Sequence, residues 1–224
     1  MKNRPVSLLE WAYGEIRDKL YSGKFAPGQK LVVSQLADDL SISPTPVKEA
    51  MNRLVSEGQL EKLPHRGFIV RQITSKEIND VMNCRMMMEL FSVPSAIRNL
   101  PHYPKIQKEM HEAMLSLDLA GQHDFMQETR LEEIFHGSLI RLTGNTMLCN
   151  LYDRVYGVGI APYVYASGNH PAALHTQPLK EHHIIYDSLV KGDSETLSRT
   201  LREHLERTTL RYQKYPPSGQ LHRH

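Results

Sequence analysis

The run Ser41-Ile42-Ser43-Pro44-Thr45-Pro46-Val47-Lys48-Glu49-Ala50-Met51-Asn52-Arg53-Leu54 reads as a short turn followed by a helix. Ser43 stands at the capping position, Pro44 at the first helical position and Pro46 at the third. Backbone N–H groups there have no intrahelical partner, so the prolines start the helix and do not break it. Val47, Ala50, Met51 and Leu54 recur at three- and four-residue spacing and form an inward stripe. Ser43 lies at the entry, and Thr45, Lys48, Asn52 and Arg53 are left facing outward, with the chemistry to meet phosphates and base edges.

On the N-terminal side, Ser34 opens a short helix carrying Leu36, Ala37 and Leu40, and Ser41 to Ser43 separates it from the proline-started one. Two short helices around a three-residue turn predict a helix-turn-helix. Before them, Ser7 and Glu10 have capping-box spacing ahead of Leu9, Ala12, Ile16 and Leu20, and Gly23 ends that helix. On the C-terminal side, Gly58 closes the proline-started helix. Leu60 to Leu63 and Phe68 to Arg71 then flank Pro64-His65-Arg66-Gly67, which reads as a hairpin whose tip offers His65, Arg66 and Gly67 to a nucleic acid.

Charge placement agrees. Residues 1–73 hold 11 Lys+Arg against 8 Asp+Glu, whereas the rest hold 16 against 17, so the basic excess belongs to the head. The 224 residues, 40% apolar and 23% charged, fit one large or two small domains at roughly 150 residues each. No apolar run approaches membrane-spanning length and the N-terminus lacks a signal peptide's apolar block, so a cytoplasmic protein with no membrane partner is expected. Two cysteines, Cys84 and Cys149, cannot build a disulfide framework or a four-cysteine zinc site.

With Pro27-Gly28-Gln29-Lys30-Leu31, Leu36-Ala37, the run from Ser43 to Met51, Arg53-Leu54, Glu57-Gly58 and Arg66-Gly67-Phe68-Ile69-Val70 in this order, the chain resembles the GntR family of bacterial transcription regulators across residues 8 to 71. The family pattern has arginine where this chain has Pro44 and again where it has Lys48. Proline offers no donor, and lysine offers a point charge in place of a fork, so the operator sequence does not transfer by analogy.

Beyond Ile73, Thr74 and Glu77 repeat the capping-box spacing, with Ile78, Val81 and Met82 inward and the helix reaching Asn99. Further helices are predicted to Ala120, over Asp124–Leu142, from Thr146 to about Tyr165, over Gln177–Lys191 and over Ser194–Tyr212. Gly144-Asn145, Ser167 to Pro171 and Gly192-Asp193 punctuate them. The expected fold is therefore mainly α. A winged helix-turn-helix over 1–73 precedes an antiparallel all-helical bundle of about six helices over 74–212, and 213–224 forms a flexible tail.

Twelve histidines are the compositional anomaly. Glu132 and His136 share one helix face at four-residue spacing, His182 lies in the next-to-last helix and His204 in the last. One carboxylate and three imidazoles suit zinc, nickel or another first-row divalent ion. Leu131-Glu132-Glu133-Ile134-Phe135-His136, Gly144-Asn145, Glu181-His182, Gly192-Asp193 and Arg202-Glu203-His204-Leu205 resemble the FCD effector domain of the FadR branch, over roughly residues 75 to 212. The resemblance implies ligands at Glu132, His136, His182 and His204. The usual Asp or Asn is replaced by the longer Glu132, and His183 is the neighbour one register position away.

The resemblance further implies a DNA-binding regulator, by family habit a repressor, controlled by a small organic acid bound at or near a metal centre. Two readings stay open beside it: the same fold binding its effector without metal, and a metal-dependent hydrolase, for which no His-Glu-x-x-His motif, nucleophile elbow or phosphate loop is present. A scaffold whose head binds protein leaves the Pro44–Met51 run and the wing without a common purpose. One recognition helix reads too few base pairs for useful specificity, so a homodimer on a palindromic operator is expected. Met86, Met87 and Met88 are read as packing residues.

Overall fold

The computed structural model describes residues 7–63, 67–119, 125–157 and 179–214. These divide into two compact units, one holding the described residues up to Thr74 and the other built from the helices that begin at Ser75.

The head opens with α1, Leu8–Tyr21, where Ser7 Oγ accepts the backbone N–H of Glu10 at 3.2 Å. Only this half of the expected capping box forms, because the Glu10 carboxylate is drawn to Arg53 on a later helix. Ala12, Ile16 and Leu20 are buried and Gly23 takes a φ of 71° just past the helix end. Helix α2, Val33–Leu40, starts one residue before Ser34, from an extended Val32 that provides no side-chain cap. Ser41 closes it in the left-handed conformation at φ 54°. Helix α3, Pro44–Ser56, follows directly.

Ser43 occupies the capping position of α3 with an extended backbone, as a residue before proline must, but its hydroxyl makes no capping bond. The start of α3 therefore rests on Pro44 and Pro46. Val47, Ala50, Met51 and Leu54 are fully buried against the first two helices. Strands β2, Leu60–Leu63, and β3, Gly67–Val70, form the predicted hairpin, with Leu60 opposite Val70 and Leu63 opposite Gly67. A third strand, β1, Lys30–Leu31, pairs antiparallel to β3 and gives the sheet order β1-β3-β2. Two residues leave no periodicity to read, so this strand was not legible in the sequence.

The body comprises, among its described residues, α4 Ser75–Asn99, α5 Pro104–Leu117, α6 Phe125–Arg141, α7 Thr146–Gly157, α8 Leu179–Lys191 and α9 Ser194–Lys214. Helix α4 runs on through Pro94 and buries Ile78, Met82, Arg85, Met88, Glu89, Ser92, Val93 and Ala96, so one charged pair sits in an otherwise small or apolar stripe. Of the three successive methionines only Met88 is buried. Met87 points outward at 65% exposure, which corrects its reading as a packing residue within the chain. Helix α9 packs on α4 and α8, α5 on α6, and α4 on α6.

The α7 helix is described to Gly157, and its expected continuation to Tyr165, the break at Ser167 to Pro171 and the start at Gln177 lie outside the described residues. Helix α9 carries two residues past Tyr212, so Gln213 and Lys214 belong to it and not to the tail, whose remaining residues, 215–224, lie outside the description. No helix among the described residues is long and apolar enough to cross a membrane.

Candidate metal centre and nucleic-acid interface

Four-residue spacing on α6 stacks Glu132 and His136 on one face, and α8 and α9 bring His182 and His204 to the same point. The four candidate ligand atoms all lie within 4.8 Å of one another. Glu132 Oε2 stands 3.3 Å from His136 Nε2 and 3.5 Å from His182 Nε2. The rings of His136 and His204 stack with centroids 5.0 Å apart, and His182 sits 4.9 Å from His204. All three histidines are buried, while Glu132 keeps about a quarter of its side chain exposed.

His136 Nε2 and both ring nitrogens of His182 are buried without a hydrogen-bond partner. Interiors seldom leave such atoms unmatched. Three imidazole nitrogens and one carboxylate oxygen are the donor types that a first-row divalent ion takes. The residues present therefore fit the metal that the resemblance implies. The additional methylene of Glu132 does not carry its carboxylate away from the cluster. His183 turns elsewhere, with Nε2 2.7 Å from Asp118 Oδ2.

A second layer fixes the imidazoles. His136 Nδ1 lies 2.8 Å from Glu89 Oε2 and His204 Nδ1 lies 2.9 Å from Glu181 Oε2. A carboxylate that accepts the Nδ1 proton fixes the ring with Nε2 directed at the cluster. Glu181 is in turn paired with Arg207 at 2.6 Å. Glu89 is fully buried on α4, where its Oε1 accepts from Arg85 Nε at 2.6 Å and from the Tyr152 hydroxyl at 2.8 Å.

Burial alone would raise the Glu89 carboxyl, but the facing His136 and Arg85 outweigh it and hold it down at about 2. Burial likewise opposes ionisation of Glu132, and His182 and His136 overcome it to hold that carboxyl well below the usual range. Burial, helped by the neighbouring His136 and His182, pushes His204 down to about 3, so its ring is neutral and its lone pair free to bind. The sequence reading missed Glu89, Arg85 and Tyr152. A signal existed, since Arg85 and Glu89 stand four apart on the stripe that Ile78, Met82 and Met88 define.

In the head, Ser43, Thr45 and Lys48 are exposed along the start of α3. Asn52 is half-buried and its Oδ1 accepts from Lys62 Nζ on β2 at 3.5 Å. Arg53 is exposed and also makes contacts within the head. Its Nη1 lies 3.0 Å from Glu10 Oε1, its Nε 3.1 Å from Glu57 Oε1, and its guanidinium sits 3.9 Å over the Tyr13 ring. Tyr13 also donates to Glu57 at 2.8 Å. Arg53 thus ties α3 to α1. Gly67 has a backbone reason for its identity, since φ is 90° and an added Cβ would stand 3.2 Å from the Leu31 carbonyl oxygen. His65 and Arg66 lie outside the described residues.

Residues 8–70 match the model of the bacterial regulatory proteins of the gntR family, and residues 80–207, more than half of the chain, match that of the FCD domain. The chain is 27% identical over 219 residues to the HTH-type transcriptional regulator McbR of Escherichia coli (strain K12), covering 96% of this chain and 97% of that one. It is 24% identical over 208 residues to an HTH-type transcriptional regulator, YdhC, of Bacillus subtilis (strain 168), covering 90% and 89%. The solved structure of E. coli McbR superposes with a TM-score of 0.72 at 22% identity, covering 94% of this chain and 99% of that one, which bears on the fold. These families and relatives are regulators of transcription and not enzymes, which removes the hydrolase alternative. The chain therefore belongs to the GntR family of bacterial regulatory proteins, a DNA-binding transcriptional regulator whose helical body is an FCD domain.

Proposed function

We propose that this regulator is a homodimeric repressor of a palindromic operator, and that a small organic acid bound at a metal centre formed by Glu132, His136, His182 and His204 sets its operator affinity. One observation carries the reading. Three buried imidazoles and a carboxylate from three helices converge with nitrogen atoms left unmatched. Zinc or nickel held there supplies positive charge and open coordination positions to an anionic oxygen.

The chain's own residues provide the rest. Glu89 and Glu181 orient the His136 and His204 rings with Nε2 aimed inward. Glu89 belongs to α4, whose first residue, Ser75, follows the head with no linker between. It sits fourteen residues along, about 21 Å at 1.5 Å per residue. A ligand that alters how His136 and Glu89 are held acts on α4, the helix whose first residue follows the head in the chain. The equilibrium moves only by the ligand's differential affinity for operator-competent and incompetent dimers, and a coupling of about 1 to 3 kcal/mol changes operator affinity 5- to 150-fold.

The test is a gel shift with genomic fragments in the presence and absence of metabolite extracts, on wild type and on a His136→Ala/His182→Ala/His204→Ala variant. The expected result is an operator complex for both and release by extract for wild type alone. A folded triple variant that keeps both its metal and its release contradicts the reading. A variant that loses metal and keeps release transfers the effector to a metal-free site.

A further inference from the structure

We propose that two copies of this chain meet along the outward stripe of α4, packed antiparallel about a two-fold axis that passes beside residue 89. The inference rests on the homodimer reading above and adds the contact surface and its register to it.

A helix on the flank of a bundle turns its apolar side inward and its charges to water. Helix α4 keeps the first half of that pattern and departs from the second. Exposed residues recur along one line, Asp80, Cys84, Met87, Phe91, Pro94 and Arg98. They stand alternately four and three apart, the spacing at which paired helices present a seam to each other. The middle of the line is apolar, with Met87 65% and Phe91 71% exposed and Cys84 an exposed free thiol. Adjoining apolar side chains left this open mark a surface made for contact. The two ends carry opposite charges. Asp80 engages Lys76, one turn earlier, through Oδ2 alone. Arg98 makes no ion pair among the described residues, and its Nη2 donates to Ser95 Oγ at 3.1 Å.

The order of the line identifies its partner. Positions equally far from residue 89 carry matching chemistry: Met87 against Phe91, Cys84 against Pro94, Asp80 against Arg98. A surface with this internal symmetry is self-complementary, which is what a two-fold contact between identical chains requires. Laid antiparallel, the Met87 thioether meets the partner's Phe91, a favourable sulfur–aromatic pairing. Asp80 meets the partner's Arg98 at each end, giving an apolar centre with a charged rim. Parallel pairing sets Asp80 against its own copy and Arg98 against its own copy, and like charges reject it. The turn of α4 that buries Glu89 against His136 carries Met87 and Phe91 on its outer side, so the contact backs onto the histidine cluster.

The experiment is sedimentation equilibrium of the full chain and its variants, with circular dichroism on every sample. Phe91→Glu is expected to raise the dimer dissociation constant at least about tenfold, since a buried, unpaired charge then sits at the centre of the contact. Asp80→Arg and Arg98→Asp are each expected to raise it about threefold to tenfold. Asp80→Arg/Arg98→Asp is expected to return it close to wild type, because the exchanged charges face each other again. Register is read by cross-linking under mild oxidation in a Cys149→Ala background, which also decides the matter for any variant that fails to fold. Pro94→Cys is expected to give a disulfide-linked dimer through Cys84, and to lose it when Cys84→Ala is added. Cys84 alone is expected to give none, because the partner's Cys84 lies ten residues, about 15 Å, along the axis. A folded Phe91→Glu that dimerises like wild type overturns this surface and leaves the homodimer reading standing. A charge-exchanged variant no tighter than the single ones, or cross-linking of Cys84 to its own copy, overturns the antiparallel register. A wild-type chain that is monomeric at the concentration at which it shifts operator DNA overturns the homodimer reading, and this inference with it.

Discussion

Lys48 and Arg53 stand five residues apart on one helix yet meet different surroundings. Lys48 is exposed and makes no hydrogen bond or ion pair among the described residues, whereas Arg53 is held between Glu10 and Glu57 over the face of Tyr13. Lys48→Ala is therefore expected to weaken operator binding and to reduce the slope of log affinity against log salt by about 0.9, one phosphate's worth. Arg66→Ala is expected to act alike from the wing tip. Arg53→Ala is expected instead to cost about 1 kcal/mol of head stability, since two partly exposed ion pairs and one cation–π contact are lost. Calorimetric melting separates the two classes: Lys48→Ala leaves the transition in place and Arg53→Ala lowers it. In the body, Glu89→Gln is expected to weaken metal affinity about 10- to 100-fold, because His136 loses the carboxylate that orients it. Competition against a chelator of known affinity measures this.

Helix starts show most plainly what a sequence discloses. Pro44 and Pro46 begin α3 as local sterics require, and Gly23, Gly58, Gly144 and Gly192 all adopt the positive φ that ends helices. Such signals lie within a few residues of their effect, so they are legible. Glu10 shows the opposite case. Its spacing from Ser7 predicts a capping box, but Arg53, 43 positions away, takes the carboxylate. Competition from a distant partner leaves no trace in local spacing. Arg85 and Glu89 show their burial in the stripe spacing, but not which side chains α6 and α7 bring to them, and the same limit hid β1, which exists only through pairing with β3. Glu132 and His136 were legible as a pair because i, i+4 spacing is itself geometry, whereas His182 and His204, on two other helices, came with the family resemblance and not from spacing.

One element offers a test in acid. Asp193 Oδ1 accepts the backbone N–H of Thr196 at 3.0 Å at the start of α9. The Thr196 hydrogen bonds hold its carboxyl below the ordinary value of 3.8. A carboxyl lowered by folding stabilises fully above its unfolded value and loses that contribution as pH falls through its folded one. Asp193→Ala is therefore expected to lower the melting temperature at neutral pH, with the gap to wild type closing as pH falls below 3.8 and the wild-type carboxyl protonates. Equal gaps at pH 7 and in strong acid contradict this. Leu54→Ala, in the core of the head, is expected to cost about 2 to 5 kcal/mol at every pH.

For the molecule as a whole, the reading joins a sequence-reading head to a sensing body through α4, a helix that begins where the head ends and carries both Glu89 and Arg85. Fold and family follow from residues spread along the entire chain. The regulatory claim depends on a cluster of four side chains and on the carboxylates behind them. Two further histidines, His222 and His224, fall in the C-terminal residues outside the described structure and could bind added metal, so a chain ending at residue 214 serves as the control. Elemental mass spectrometry of the full chain, purified without added metal, addresses the claim most directly. The account predicts about one zinc or nickel per chain in wild type and in the shortened chain, and none in the His136→Ala/His182→Ala/His204→Ala variant. A wild-type protein free of first-row metal, or a shortened triple variant that keeps its full share, contradicts it.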